Sequence, residues 1–186
     1  DPVPSTVAWA TGGSMNTGRR ELGAANQAPG HSAGLIFGGY KSPAGPTNAT
    51  EEYNGTSWTS SNNMTTSRQR LAGAGIQTAG LAFGGGYPPT AHSETEEYDG
   101  SSWTNGGGLG TARGRLGGSG TQTAGLAFGG STVAEPPSKT NATEEYDGSS
   151  WTAGGVLSVS RFMLGGGGTQ TSAIAFGGNT NPPPAR

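Results

Sequence analysis

Paired acidic residues recur three times in the chain, as Glu51-Glu52, Glu96-Glu97 and Glu144-Glu145. Two carboxylates that face each other across a cleft perform general acid–base chemistry in glycosidases. Each pair here lies in a short β-prone segment, and adjacent residues of a strand point to opposite faces of the sheet. The two carboxylates of one pair cannot then act together on one bond. Because every complete copy of the repeat carries such a pair, we interpret the pairs as structural.

Arginine also recurs at an equivalent position, as Arg19, Arg68, Arg113 and Arg161. Four guanidinium groups around one axis could bind an anion, because arginine matches the geometry of carboxylates and phosphates. The interpretation we favour is that each arginine pairs with a glutamate or with backbone carbonyls between repeats. A residue that is present in every repeat is expected to serve the fold.

Other catalytic chemistries lack the residues they need. The chain has no cysteine, which excludes disulfides, cysteine nucleophiles and cysteine-ligated zinc. Its two histidines, His31 and His92, occupy unrelated positions in the repeat and have no partner at ligand spacing. No glycine run is followed by the Gly-Lys-Ser/Thr of a phosphate-binding loop. We therefore expect no catalytic residue, no cofactor and no metal site, and predict that the protein is not an enzyme.

The glutamate pairs and the arginines belong to an internal repeat. The sequence TEEYNGTSWT begins at Thr50, and TEEYDGSSWT begins at Thr95 and again at Thr143. Gly-Gly follows four phenylalanines spaced 46, 45 and 48 residues apart, namely Phe37, Phe83, Phe128 and Phe176. A regular period of this length is typical of repeat architectures. We predict a single domain over residues 1–186, made of four units at about 1–47, 48–93, 94–140 and 141–186.

Each unit is predicted to contain four short antiparallel strands. In the second unit these are residues 71–76, Ala79–Phe83, Thr95–Tyr98 and 101–104. The apolar residues Leu81 and Phe83 share one face by the two-residue alternation of a strand. Asp99-Gly100 lies between the last two strands and predicts a type I′ turn, in which both central residues have positive φ.

The order of these residues resembles the kelch repeat. An arginine, an apolar strand that ends in Gly-Gly, a variable loop, a tyrosine and a tryptophan follow one another three times. The residues that carry this order are Arg68, Tyr98 and Trp103, then Arg113, Tyr146 and Trp151, and also Arg19, Tyr53 and Trp58. The resemblance implies an all-β fold, a kelch-like β-propeller of four blades. The near-identity of the units is further similar to Gly-rich kelch-like repeat proteins of marine phage virions.

The closing blade of such a propeller is expected to be incomplete. Strands from both chain ends would complete it. The chain begins with the half of a unit that contains the tryptophan, at Trp9, and ends with the half that contains Gly-Gly, at Gly178. Pro4 stands five residues before Trp9, where the other repeats have tyrosine, and proline donates no ladder hydrogen bond. Three hypotheses follow: a four-bladed ring with a poor seam, a fragment of a longer array, or an open edge that another copy completes.

The segments after each Gly-Gly differ from unit to unit. Equivalent loops of successive blades lie on one face of a propeller, and variable loops on a rigid scaffold are typical of a recognition surface. The candidate recognition residues in these loops are Tyr40, Lys41, Tyr87, His92 and Lys139.

Composition limits the partners of the chain. A net charge of −2 with only 10 Lys and Arg residues predicts no binding of nucleic acid. No apolar run approaches the length of about 18 residues that a membrane-spanning helix needs, so we expect no membrane insertion. The expected partners are other copies of the chain, other structural proteins, or a glycan or protein on a host surface.

These observations favour a non-enzymatic structural or adhesion module in a virion or outside the cell. A phage virion appendage or tail-associated protein, whose variable loops contact the host surface, is the leading hypothesis. The first alternative is a subunit of an extracellular or cell-surface filament that assembles by pairing of edge strands. The second is a soluble glycan-binding propeller.

Overall fold

The computed structural model describes residues 11–25, 27, 32–87, 90–132 and 138–180, with the backbone alone at Tyr87. These residues form strands and turns without a helix, which confirms the all-β prediction. Three residues used above, Pro4, Trp9 and His31, lie outside the described residues.

The strands follow the period of the repeat, but each four-stranded sheet crosses a boundary of the predicted units, as between residues 47 and 48 and between residues 93 and 94. We therefore define a repeat as the stretch of chain that forms one sheet. The first repeat contributes β1 (Gly23–Ala25), β2 (Gly34–Phe37), β3 (Tyr40–Lys41), β4 (Gly45–Pro46), β5 (Thr50–Tyr53) and β6 (Trp58–Ser61). The second contributes β7 (Ala72–Ile76), β8 (Ala79–Phe83), β9 (Gly86–Tyr87), β10 (Thr90–Ala91), β11 (Thr95–Tyr98) and β12 (Trp103–Gly106). The third contributes β13 (Gly117–Gly120), β14 (Gly125–Phe128), β15 (Thr143–Tyr146) and β16 (Trp151–Ala153). The chain ends with β17 (Phe162–Gly168) and β18 (Ala173–Asn179).

The longer strands form three antiparallel sheets of four strands each. The first sheet has the order β1-β2-β5-β6, the second β7-β8-β11-β12, and the third β13-β14-β15-β16. β17 and β18 pair only with each other among the described strands, and we call them the terminal hairpin. The prediction of four strands in each repeat is confirmed for the three sheets. β1, β7, β13 and β17 are the inner strands, and each contacts the next along the chain.

Each sheet has two ends that differ in chemistry. At the Gly-Gly end, the second strand runs into two glycines with positive φ, as at Gly84 (64°) and Gly85 (98°). At the turn end, the third strand turns into the fourth through Asn-Gly or Asp-Gly. The segments after Gly-Gly, which we predicted as loops, form two short hairpins: β3 pairs with β4, and β9 with β10.

The turn between the third and fourth strands differs from the prediction. A type I′ turn needs positive φ at both central residues, but at Asp99-Gly100 only the glycine has it, with φ of 92°. Asp99 Oδ1 accepts hydrogen bonds from the backbone N–H groups of Ser101 and Ser102, both at 2.7 Å. These bonds close a longer turn, so β12 begins at Trp103 and not at Ser101. The type I′ prediction is wrong because the aspartate side chain satisfies backbone donors that a two-residue hairpin would pair across the strands.

Glycine allows the inner strands to lie unusually close together. A Cβ atom at Gly73 of β7 would lie 2.4 Å from the carbonyl oxygen of Ala24 in β1. One at Gly118 of β13 would lie 2.7 Å from the carbonyl oxygen of Gly73. A real side chain would force the backbones apart at these distances, which explains the glycines. The four inner strands line one cavity of about 580 Å³.

Aromatic side chains connect neighbouring sheets. Trp103 of the second sheet packs on Phe37 of the first, with ring centroids 5.0 Å apart. Trp151 of the third sheet packs on Phe83 of the second, with centroids 4.8 Å apart. All four side chains are buried. The recurring tryptophan therefore packs against the preceding sheet, and the same contact recurs between successive sheets.

The terminal hairpin lacks this cover. Ile174 and Phe176 are 64% and 56% exposed, whereas Leu81 and Phe83, at the same positions of the second sheet, are 0% exposed. No described strand pairs with the outer edge of β18. The described residues thus supply two of the four strands of the last repeat, and the expectation of an incomplete closing unit stays a prediction, because the segment around Trp9 lies outside the described residues.

We expect Gly73→Ala to lower the free energy of unfolding by about 1–3 kcal/mol, because the added methyl group overpacks the contact between inner strands. Gly167→Ala is the matched control, since a Cβ atom there meets nothing within 4 Å. Urea denaturation of both variants tests this. Equal stabilities of the two variants would show that the close approach of β1 and β7 does not require glycine.

Candidate functional site

The recurring arginine is buried at the Gly-Gly end of each sheet. Arg68 Nη1 donates to the carbonyl oxygens of Gly84 (2.9 Å) and Glu94 (2.7 Å), and Nη2 lies 2.9 Å from Glu96 Oε1. The Arg68 carbonyl accepts a hydrogen bond from the Gly39 N–H of the first sheet. The side chain therefore binds within the second sheet, and the backbone of the same residue joins it to the first.

The other two sheets keep the ion pair but have fewer hydrogen bonds: Arg113 Nη1 donates to the Ala142 carbonyl at 3.2 Å, and the buried Arg19 nitrogens have no hydrogen-bond partner among the described residues. Arg19 lies 3.2 Å from Glu51, and Arg113 lies 3.1 Å from Glu144. Burial lowers the pKa of each of the three paired arginines, while the neighbouring glutamates oppose that shift. Arg161, in the terminal hairpin, donates to the Gly177 carbonyl at 2.8 Å. The prediction that these arginines pair with glutamates or carbonyls is confirmed, but its placement of the pairs between repeats is wrong, because the side-chain partners lie within one sheet.

The second glutamate of each pair faces a neighbouring sheet. The Tyr98 hydroxyl donates to Glu52, and the Tyr146 hydroxyl donates to Glu97 at 2.5 Å. The two carboxylates of a pair thus bind an arginine on one face and a tyrosine on the other, as the strand alternation predicts.

Hydrogen bonds also fix the tryptophans between sheets. Trp103 Nε1 donates to Thr50 Oγ1 at 3.0 Å, and Trp151 Nε1 donates to Thr95 Oγ1 at 2.9 Å. The residues that we predicted to be structural therefore all lie in contacts within or between sheets; they are Arg68, Tyr98, Trp103, Arg113, Tyr146 and Trp151.

The candidate recognition residues lie at the Gly-Gly end but contact different partners. Tyr40 lies under the Arg20 guanidinium, 4.5 Å from ring centroid to Cζ, and Lys41 beside it is exposed. His92 Nδ1 lies 3.0 Å from Glu94 Oε2. Lys139 Nζ donates to the Thr180 carbonyl at 2.6 Å. The side chain of Tyr87 lies outside the described residues. A recognition role for these five residues stays a prediction.

Four residues that the sequence did not single out have left-handed backbone conformation at the Gly-Gly end. Their φ angles are 56° at Glu21, 60° at Arg70, 57° at Arg115 and 56° at Met163. This conformation is costly for a residue with a side chain, and such strain concentrates at functional sites. None of the four is glycine, so composition gives no hint of them. The one sequence signal is their position, two residues after each recurring arginine.

Hydrogen bonds between repeats hold these four residues in place. The Arg70 N–H donates to the Glu21 carbonyl, and the Arg115 N–H donates to the Arg70 carbonyl, both at 2.7 Å. The Met163 N–H donates to the Arg115 carbonyl at 2.8 Å. The same four residues line a second cavity of about 190 Å³ at the Gly-Gly end, together with Leu22, Leu71 and Leu116. Across it Arg70 Nε lies 3.1 Å from Glu21 Oε2.

The part of the chain that the structure describes offers no other recognisable chemistry. No cluster of three His, Asp or Glu residues that could hold a metal ion occurs there. None of the described residues belongs to a helix long and apolar enough to cross a membrane. Comparison with protein-family models and with curated proteins gives no match. The kelch resemblance therefore remains a prediction from the sequence.

We expect Arg68→Met to lower the free energy of unfolding by about 3–5 kcal/mol, because it leaves the Glu96 carboxylate buried without its partner. Arg161→Met is the matched control, since Arg161 occupies the same position in the terminal hairpin and its bond to Gly177 is exposed. Urea denaturation measures both. A loss of similar size in the two variants would contradict the importance of the buried ion pair.

The phenol of Tyr98 should ionise late in an alkaline titration. Burial, and then the hydrogen bond to Glu52, raise its pKa to about 12. Because an unfolded tyrosine ionises near pH 10, the resulting stabilisation is complete below about pH 10 and is lost as the pH rises to about 12. Ultraviolet difference absorbance measures the ionisation, and Tyr98→Phe should remove one late-titrating group. Ionisation of every tyrosine near pH 10 in the folded protein would contradict this.

Proposed function

We propose that the protein is a non-enzymatic structural and adhesion module with a kelch-like propeller arrangement. Its sheets act as blades, its Gly-Gly end faces a partner surface, and its setting is a phage virion appendage or another structure outside the cell. The observation that carries this proposal is that the repeated charged and hydroxyl side chains are bonded within the scaffold. The arginines, paired glutamates and buried tyrosines bind one another inside the scaffold, and what varies between repeats lies in the segments after Gly-Gly.

The arrangement of the inner strands supports a propeller. Each inner strand contacts the next, all four line one cavity, and the sheets pack face to face through the repeated Phe–Trp contact. Blades that surround a central channel have this order of strands from the inside outward. The repeats support four blades, and the described residues form only two strands of the last one.

The charge distribution supports a partner at the Gly-Gly end. All Lys and Arg residues except Arg186 lie in described residues, and each of them is located at the Gly-Gly end of its sheet. The turn end carries Asp99 and Asp147, whose pKa values are lowered to about 2 by hydrogen bonds from neighbouring serines. The same end carries five described glutamates, Glu21, Glu51, Glu94, Glu96 and Glu144, and four of them pair with arginines there. Because its cations outnumber these carboxylates, the Gly-Gly end is net positive in a chain whose net charge is −2. Such an end attracts acidic groups, for example those of an acidic surface polysaccharide.

We expect Lys41→Ser to weaken binding to an immobilised sulfated polysaccharide severalfold, because it removes an exposed cation from the basic end. Thr171→Glu is the matched control, since it lowers the net charge by the same amount at an exposed position of the turn end. Salt-gradient elution from the polysaccharide column measures the effect, and adsorption to host cells extends it. Equal retention of the two variants would contradict a recognition surface at the Gly-Gly end.

The last repeat, of which the described residues form two strands, favours a second candidate, the subunit of a filament or other multi-copy assembly. The outer edge of β18 has no described partner strand, and the apolar face of the terminal hairpin is exposed. Unpaired edges are templates for association with another chain. This candidate and the leading one are compatible, because an appendage made of many copies would use one surface for assembly and another for recognition.

A further inference from the structure

The contact between neighbouring sheets has two different halves. One half is the face of the earlier sheet, which offers a phenylalanine and a leucine from its second strand. The other is the face of the later sheet, which offers a tryptophan and a glycine. Phe37 receives Trp103, and a Cβ atom at Gly80 would lie 2.6 Å from Leu35 Cδ2. A Cβ atom at Gly125 would lie 2.7 Å from Leu81 Cδ2, so the second and third sheets repeat this seating.

The terminal hairpin keeps its phenylalanine half without a described partner. Ile174 and Phe176 occupy the positions of Leu81 and Phe83, as the sequences AIAF and GLAF show. In the first two sheets these positions are 0% exposed and are covered by the next sheet, but in the hairpin they are 64% and 56% exposed. The described residues of the same chain therefore do not cover this face.

The first sheet keeps the complementary tryptophan half. Trp58 packs on its own Tyr53, with centroids 5.0 Å apart, and both are only half-buried, whereas Trp103 and Tyr98 are buried. Gly34 of the first sheet stands at the position of Gly80 and Gly125. Every copy of the chain thus carries both halves of the repeated contact, and because β1 and β17 line the same cavity, the two halves border one seam.

The hydrogen bonds between the left-handed residues also stop between the terminal hairpin and the first sheet. Each N–H in the series bonds to the carbonyl of the preceding repeat, up to Met163. Among the described residues no such bond runs from the Glu21 N–H to the Met163 carbonyl. This backbone bond is therefore missing between the terminal hairpin and the first sheet among the described residues, although Glu51 of the first sheet accepts a hydrogen bond from the Asn16 N–H of the same chain, as Glu96 does from the Thr65 N–H.

We propose that a second copy of this chain docks on the terminal hairpin, with its Trp58 on Phe176 and its Gly34 beneath Ile174. The contact reproduces the one between sheets and is heterologous, since one copy offers its last repeat and the next copy its first. Heterologous contacts generate rings when the rotation closes and filaments when it does not. The proposal deepens the assembly function of the preceding section by naming the two surfaces, and it does not depend on the recognition role of the Gly-Gly end.

A cysteine trap distinguishes a second copy from closure within one chain. The protein has no cysteine, so Gly34→Cys and Ile174→Cys together introduce one pair. A Cβ atom at Gly34 would lie 3.7 Å from its nearest neighbour, the Tyr53 Cβ, which is an ordinary contact. After oxidation at high protein concentration we expect a ladder of disulfide-linked dimers and larger species on a non-reducing gel. Leu81→Cys with Gly125→Cys is the control, and it should form a disulfide within one chain.

Each outcome of the trap is decisive. A ladder supports the proposal. A disulfide within the monomer would overturn it, because the chain would then close its own seam. Absence of any disulfide, in a protein that sedimentation velocity shows to be monomeric at the same concentration, would also overturn it.

A second measurement does not depend on introduced cysteines. Phe176→Ser should shift the wild-type sedimentation profile toward the monomer, whereas Ile76→Ser, at an exposed apolar residue of the turn end, should leave it unchanged. A wild-type profile that neither substitution alters would count against the interface even if larger species are present. Retention on the sulfated polysaccharide should be the same for both variants, which separates failure of this inference from failure of the recognition role.

Discussion

The structure depends on one buried interaction, the arginine at the start of each repeat. Arg68 satisfies two carbonyls and a carboxylate of its own sheet, and its backbone carbonyl accepts from the previous sheet. A buried guanidinium without an anionic partner would be strongly unfavourable, and a glutamate lies beside the arginine at the Gly-Gly end of each sheet. Two residues later the chain adopts the left-handed conformation and then enters the inner strand. The arginine therefore fixes where each repeat begins and how it contacts the one before.

The regular parts of this architecture could be predicted from the sequence because they follow local rules. The alternation of Leu81 and Phe83 predicts β8, and Gly84-Gly85 predicts its end. The Asp99 turn was mispredicted because a side chain competes with the backbone for donors. The left-handed Arg70 and Met163 were missed, since their conformation is imposed by hydrogen bonds between repeats and not by residue type. The partner of Trp103 was likewise not predictable, because the tryptophan contacts a residue that is distant in sequence.

Separation of charge along the strands follows from the same organisation. Each buried arginine must sit where the chain enters a sheet, and the remaining cations lie in the segments next to that entry. The turn end instead uses aspartate, whose ionised side chain caps the turn. A basic and an acidic end therefore arise from fold requirements, before any selection for binding. The net charge of −2 does not show this separation, so the composition indicates only a weakly acidic protein.

The strength of a contact between copies can be bounded from the exposed residues. Full burial of an isoleucine or phenylalanine contributes about 1.5–3 kcal/mol, and a little over half of each side chain remains exposed at Ile174 (64%) and Phe176 (56%). Association of two free molecules costs at least about 4 kcal/mol. The exposed parts of the two side chains together contribute about 2–4 kcal/mol, which offsets the low end of that cost only at its upper limit, so any net affinity must come from Trp58 and the edge of β18. Such a contact is weak between free copies and effective between copies held together, because a second contact between linked molecules no longer carries the full cost of association. A surface of this kind therefore suits a protein that functions in a structure of many copies better than one that functions alone.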